Sequence, residues 1–343
     1  MAQVLHLLPH PGGGGERQHR LLAGELPQYR HRFAALAGRQ ELPLALPGLL
    51  FRRPFVAKQA LAADLVHIDG DSSAIVGARV IAQRPYVITT AGLHLLRRAT
   101  GFVGRDIQDR LRRSVLGSRA TMCTSQAEFV ELQELCGATA PLTYVPNAVP
   151  LQPLPSSDER ATAREALGLL DSEVTALMVT RLESRKHALL AARAATRVRE
   201  AGTCLTLLIA GDGPDRRQLD KLAGPAVRPL GFCNDVRGLL AAADIFVLVS
   251  EREGMSLALL EAMGAGLPAV VSDGAGNPEV VGSEAGAVVP AAEEDPLVAR
   301  LQELAADPEW RRAAGAAARY RVETVFPMSR MLIGVEDAYR RCL

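Results

Sequence analysis

The feature that most restricts the fold is a repeated alternation of short apolar runs with amphipathic stretches. Runs at residues 4–8, 65–68, 86–89 and 120–124 read as strands separated by helical patterns, and the alternation restarts at 174–179, 204–209, 245–248 and 269–271. Strands that alternate with helices build parallel sheets covered on both faces, so each half is expected to form its own α/β layer structure. Between the halves, residues 146–155 hold four prolines in ten residues, the composition of a linker. The expected organisation is residues 1–150, residues 151–326, and a closing helix over 327–343 that crosses back to the first domain.

Length and charge narrow the function. With 343 residues, 48% of them apolar, the chain can bury two cores. A formal net charge of +1 and 4% aromatic residues provide neither a phosphate-binding footprint nor a stacking platform, so no nucleic-acid partner is expected. The five cysteines are scattered, without metal-ligand spacing, and read as reduced structural thiols. Residues 4–8 end at Pro9, far short of the ~18 apolar residues of a membrane span, and a cytoplasmic location is expected.

Ligands of parallel sheets bind at the carboxyl ends of the strands, which directs attention to three loops. The first holds Gly12, Gly13, Gly14, Gly15 and Glu16, where missing β-carbons and a following helix N-terminus suit a phosphate or a sugar; the plain alternative is a flexible turn. It is not a dinucleotide fingerprint, because Arg17 stands where the third glycine belongs, and Arg216 spoils the run at Gly211 in the same way. The second, Thr180 to Lys186, places Arg181, Arg185 and Lys186 at a strand end, a clamp for a diphosphate or simply a solvated charged loop. Lys186 is one of only three lysines. The third runs from Ser250 to Met263, with a helix expected from about Ser256. Glu253 then precedes the helix, Gly254 and Met255 offer backbone amides, and Glu261 lies two turns on. Two such carboxylates can each bind a vicinal diol; otherwise one caps the helix and the other faces solvent.

Glu253 to Glu261 resembles the E-x7-E pattern of the retaining glycosyltransferase family 4, whose GT-B fold sets two Rossmann-like doubly wound domains facing a cleft. Gly12 to Glu16 is similar to that family's glycine loop, Arg181 and Lys186 to its R-x4-K pair, and Ala210 to Pro214 to its G-x-G-P strand end. Leu230-Gly231, residues 243–247 and Pro278 to Val281 follow in the family's order. The resemblance implies a nucleoside diphosphate sugar donor, most often a UDP-sugar. Arg181 and Lys186 would hold the leaving diphosphate, Glu253 the transferred sugar, and Glu261 the ribose. Gly13, Gly14, Gly15, Gly211, Gly254, Met255, Ser256 and Leu257 would complete the nucleotide-sugar site. Glu16, Gly92 and His94 are candidate sugar or acceptor contacts. Configuration would be retained, a donor phosphate oxygen taking the acceptor's proton, with no metal and no cofactor. The acceptor would be a saccharide, a lipid or lipid-linked acceptor, an aminocyclitol or another small natural-product scaffold.

Several features depart from the pattern or stand outside it. Thr90-Ala91-Gly92 replaces a His-Gly step that in the family contacts the sugar 6-hydroxyl, which implies a donor lacking an ordinary 6-hydroxymethyl group, or His94 as a substitute. Pro146-Asn147-Ala148 and Met255 also differ, which bears on sugar choice. Asp69-Gly70-Asp71 is a D-x-D triplet of the kind that holds a metal elsewhere, but is read here as an N-cap and a surface charge. Arg97, Arg98, Arg105, Arg110, Arg112, Arg113 and Arg119, interleaved with apolar residues, form either a face suited to anionic lipid or a solvated helix with Asp106 and Asp109 as partners. A sugar-nucleotide epimerase, a phosphorylase and a non-catalytic nucleotide-sugar-binding protein share the fold and stay open as classes.

Overall fold

The computed structural model describes residues 1–37, 46–81, 84–98 and 100–343, with the side chains of 46–53 and of Arg98 also outside the description. Arg98 of the basic stretch therefore has no described side chain. The chain divides into two compact units, Met1–Asn147 with Met328–Leu343, and Ala148–Pro327.

The first unit comprises β1 (Gln3–Leu8), α1 (Gly13–Glu25), β2 (Arg30–Ala35), α2 (Leu46–Leu61), β3 (Leu65–Asp69), α3 (Gly70–Gly77), β4 (Tyr86–Thr89), α4 (His94–Arg98), α5 (Gly101–Gly117), β5 (Ala120–Cys123), α6 (Gln126–Cys136) and β6 (Leu142–Tyr144). Its strands pair in parallel in the order β2-β1-β3-β4-β5-β6. Successive side chains leave a strand on opposite faces. Leu5, Leu7, Val66, Ile68 and Ile88 point into an aliphatic core shared with α3 and α5. The intervening His6 and His67, paired in register, point to the other face.

The second unit comprises α7 (Ser157–Ala166), β7 (Val174–Val179), a 3-10 turn (Ser184–Lys186), α8 (Ala188–Glu200), β8 (Leu205–Ala210), α9 (Arg216–Asp220), β9 (Val227–Gly231), α10 (Arg237–Ala242), β10 (Ile245–Leu248), α11 (Leu257–Gly264), β11 (Ala269–Ser272), α12 (Asn277–Val281), β12 (Gly286–Val289), α13 (Glu294–Ala306) and α14 (Pro308–Thr324). The strand order is β12-β11-β10-β7-β8-β9, again all parallel. Both faces are apolar. Ala176, Met178, Leu207 and Val247 pack on α8 and α13, while Leu177, Leu208, Phe246 and Leu248 pack with α11. Buried alanines at 188, 191, 192, 194 and 195 let α8 lie close to its sheet. Local capping agrees with these boundaries: Ser156 and Glu159 form a reciprocal capping box on α7, and Asp307 accepts from Trp310 N with Pro308 opening α14.

The final helix, α15 (Met328–Arg340), belongs to the first unit, where Tyr339 and Met331 are buried. Eight strands follow the apolar runs of the sequence. The four others, β2, β6, β9 and β12, are the outermost strands of the two sheets.

Candidate functional site

In a doubly wound sheet the crevice lies where the strand order reverses direction. In the second unit that point is between β7 and its neighbour β10. The loops leaving these strands are Thr180 to Lys186 and Ser250 to Ser256, so topology brings together the two charged loops found in the sequence.

Backbone contacts hold the loops in fixed relation. Glu251 N donates to Arg185 O at 2.7 Å, Leu182 N to Asp212 O at 2.9 Å and Asp215 N to Leu182 O at 2.9 Å. Gly211 permits this approach, since a β-carbon there would lie 1.7 Å from Thr180 O, and one at Gly213 would lie 2.5 Å from Leu182 O. Glu253 is fixed from the other side by the loop after β11. It forms a parallel bridge with Ala275, and Gly276 N donates to Glu253 O at 3.0 Å. The sequence reading did not single out this third loop; the signal was Gly274-Ala275-Gly276 directly after an apolar strand. Gly274 has to be small because a β-carbon there would meet Glu251 O at 2.6 Å.

On this frame Lys186 Nζ and Glu253 Oε1 form an ion pair, each side chain only 13% exposed. Arg181 reaches Glu183 at 2.7 Å and keeps about half its surface in solvent, while Arg185 Nε holds the other Glu183 oxygen at 2.8 Å. Burial would raise the Glu183 carboxyl, but the Arg185 hydrogen bond and the charges of Arg185, Arg181 and Lys186 outweigh it and hold the group below its ordinary value. His187 follows in a left-handed conformation, and burial keeps its imidazole below the usual range against the opposing pull of Glu251. The helix α11 begins at Leu257, with the Ser256 hydroxyl accepting from Leu259 N at 3.4 Å. Met255 sends its side chain into the core. Leu257, Ala258 and Glu261, spaced to share one face of α11, stay half-buried. The arrangement offers cations for a diphosphate and two carboxylates for diols.

In the first unit the order reverses between β1 and β3, which places the glycine loop beside Asp69. Gly12 and Gly13 have left-handed φ values of 88° and 84°, and a β-carbon at Gly15 would lie 2.2 Å from Asp69 Oδ2. Glu16 is committed to its own loop, accepting from Gly12 N and pairing with Arg20. The next loop along is locked by a fully buried carboxylate, Glu128, which accepts from Thr90 Oγ1 at 2.6 Å, Gly92 N at 2.5 Å and Thr124 Oγ1 at 2.7 Å. The His94 ring lies over Gly92, its Nε2 2.5 Å from where a β-carbon would be.

One reading of the sequence needs correction here. Neither aspartate of Asp69-Gly70-Asp71 is a surface charge. Asp69 occupies the N-cap position of α3 without a side-chain cap bond, and its Oδ1 meets His19 Nε2 at 3.3 Å. Asp71 is buried and caps α4 instead, accepting from Leu95 N at 2.6 Å and Leu96 N at 3.0 Å. The basic stretch is divided between α4 and α5, and its helices pack as solvated surface helices do: Leu96, Ile107 and Leu111 enter the core, whereas Phe102 is 86% exposed beside exposed Val103. Arg110 pairs with Asp106, and Arg97 with Glu131.

Sequence reasoning also missed a histidine cluster, because its members are distant in the chain. His6, His19 and His67 are buried with candidate ligand atoms within 4.8 Å of one another. Their nitrogens are engaged by protein neighbours. His6 meets His19 at 2.6 Å and His31 at 2.8 Å, and His67 meets the Tyr339 hydroxyl at 2.8 Å and Thr89 Oγ1 at 2.7 Å.

Residues 173–307 match the family model described as Glycosyl transferases group 1. The chain is 33% identical over 149 residues to a UDP-Gal:alpha-D-GlcNAc-diphosphoundecaprenol alpha-1,3-galactosyltransferase of Escherichia coli, covering 41% of this chain and 38% of that one. It is 31% identical over 214 residues to a GDP-mannose-dependent monoacylated alpha-(1-6)-phosphatidylinositol monomannoside mannosyltransferase of Corynebacterium glutamicum, covering 58% and 56%. The chain thus spans between about two fifths and just over half of these relatives. The sucrose-phosphate synthase of Thermosynechococcus elongatus superposes with a TM-score of 0.81 over 99% of both chains at 19% identity. The second unit thus contains a segment that matches the group 1 glycosyltransferase model, and along its whole length the chain has the GT-B fold.

Proposed function

We propose that this protein transfers a glycosyl group from a nucleoside diphosphate sugar to an acceptor hydroxyl, with retention of configuration. The observation that carries the reading is the meeting of Arg181, Lys186 and Glu253 at the β7/β10 switch point, with Glu261 on the helix that follows. A diphosphate entering there competes with Glu253 for Lys186 and with Glu183 for Arg181, so both cations are drawn onto the leaving group as its charge grows. Glu253, released from Lys186, is then available to the hydroxyls of the transferred sugar. Glu261 binds the ribose.

Acceptor attack comes from the face the nucleotide leaves, and a donor phosphate oxygen removes the hydroxyl proton. The Arg-Lys clamp supplies the charge neutralisation that a divalent ion would otherwise give, so the reaction is metal-independent, and EDTA should leave the rate unchanged. UDP is the favoured nucleotide, in keeping with the galactosyltransferase relative, although the mannosyltransferase relative is named for GDP-mannose. His94, lying over Gly92, takes the place of the missing histidine toward the sugar; a donor panel on wild type and His94→Ala tests this, and equal preference for UDP-glucose in both would refute it.

Both relatives are named for lipid-linked acceptors, and no helix among the described residues is long and apolar enough to cross a membrane. Phe102 and Val103 at the start of the arginine-rich α5 supply a peripheral contact with an anionic bilayer. Saccharide and small natural-product acceptors belong to the same reading.

The decisive experiment is thermal stabilisation by UDP, GDP, ADP and NAD at matched concentration. A UDP-selective shift that disappears in Glu261→Ala supports the donor site, and nucleotide release that requires an acceptor establishes transfer. A shift with NAD alone would overturn the reading.

A further inference from the structure

The loop that carries Glu253 is tied to its neighbour by three polar residues of the second unit. Ser250, Ser272 and Asn277 are fully buried, just after β10, at the end of β11 and at the start of α12. Their hydrogen bonds have one direction. The Ser250 carbonyl only accepts, so the Ser272 hydroxyl donates its one proton there. The Ser272 oxygen can then only accept, and Asn277 Nδ2 donates to it at 3.2 Å. That orientation leaves Asn277 Oδ1 buried with no hydrogen-bond partner. Leucine, close to asparagine in size, would fill the place without an unsatisfied oxygen, so packing alone does not account for this side chain.

The chain of bonds ends on the backbone that leads to Glu253. Ser272 holds Ser250 O at the start of the loop. At Gly274 a β-carbon would lie 2.8 Å from Ser250 O and 2.6 Å from Glu251 O, so only glycine lets the two loops lie this close. Ala275, left-handed at a φ of 53°, bridges Glu253, and Gly276 N donates to Glu253 O at 3.0 Å. A non-glycine residue in that conformation persists where its surroundings enforce it. The helix α12 is anchored in turn, because Arg321 of α14 donates to Glu279 O and Val280 O, each at 2.8 Å. Asn277 is the side chain that joins this anchored helix to the end of β11.

We propose that Asn277 is a positioning residue for Glu253. Through Ser272 it locks the main chain on which Glu253 stands, so the carboxylate can leave Lys186 for the hydroxyls of a ligand while its backbone stays in place. What Glu253 binds rests on the donor-site reading above, whereas the link from Asn277 to Glu253 is present without ligand.

The lysines are Lys58, Lys186 and Lys221, so full-length protein labelled with 13C at lysine Cε gives three NMR signals, that of Lys186 assigned by its loss in Lys186→Arg. Glu253→Gln fixes where the Lys186 signal lies without the ion pair. In ligand-free Asn277→Leu and Ser272→Ala the Lys186 signal should move at least halfway to that position, with Lys58 and Lys221 unmoved. The double variant should move it no further than the larger single change. A Lys186 signal at its wild-type position in either folded variant overturns the proposal. Collapse of all three signals to one unfolded position in both variants overturns it as well, since these residues would then hold the fold rather than Glu253. UDP added to wild type is a separate arm. If it leaves Lys186 unmoved, the donor-site reading fails, while the Asn277 link is still decided by the ligand-free spectra.

Discussion

The two units share six-stranded parallel sheets and a single reversal of strand order, yet they furnish that point with opposite chemistry. In the second unit, ion pairs among Lys186, Glu253, Arg181 and Glu183 stand on a frame of aliphatic residues and alanine, and glycines bring backbone against backbone. In the first, a carboxylate lies beside imidazoles buried on the sheet face opposite the aliphatic core. The same architecture thus presents two chemically different places, exchangeable cations that the proposed function gives to a diphosphate, and a carboxylate beside an imidazole.

The contrast is broken most forcefully at the clamp. Lys186→Ala or Arg181→Ala should remove roughly 2–4 kcal/mol of transition-state stabilisation, about 30- to 1,000-fold, by analogy with deleting a preorganised donor. The loss should appear in kcat more than in KM, and steady-state kinetics that put it wholly in KM would assign these residues to ground-state binding.

Next in size is the backbone frame. Gly211→Ala sets a β-carbon against a carbonyl that cannot swing away, and should destabilise the second unit by about 1–3 kcal/mol in urea unfolding. A third effect separates the units by pH. His6 and His67 have lowered pKa values, mainly from burial, so the unfolded chain takes protons near 6.5 that the native state refuses. Their contribution is complete above that pH and is lost as pH falls below it, by at most about 1.4 kcal/mol per pH unit for each. In the second unit Glu183 is shifted down, and its contribution is lost only as pH falls below about 4.5. His187 of the second unit is also lowered by burial, so hydrogen exchange at pH 7.5 and 5.5 should show a larger loss of protection in the first unit, which holds two such imidazoles, than in the second; equal loss in both would dismiss the histidine core as its cause. The smallest effect is expected from Gly15→Ala, where the obstructing atom is a side-chain oxygen able to rotate, so urea unfolding should show a smaller change than in Gly211→Ala.

Much of this was legible in the chain. The central strands announce themselves, because β1, β3, β7, β8 and β10 are buried on both faces and need continuous apolar runs. Edge strands need no such run. β2 reads Arg-His-Arg-Phe-Ala-Ala, β6 is three residues long, and β9 contains Pro229, tolerable where one side of the strand has no partner. Their pairing is set by neighbours, so a local pattern does not reveal them.

Local sequence likewise determined the loops that carry Arg181, Lys186 and Glu253, since loop and strand are adjacent in the chain. What only the tertiary structure decided was who meets whom. Lys186 finds Glu253 across a strand reversal. Asp69, one of a pair read locally as an N-cap and a surface charge, finds His19 through the placement of α1 beside β3; His6 and His67 are register partners on adjacent strands, and His31, opposite Val4 on β2, reaches His6 from two residues along. Hydrophobic periodicity encodes the faces of elements, but hydrogen-bond partners from distant segments are fixed only when those faces are packed.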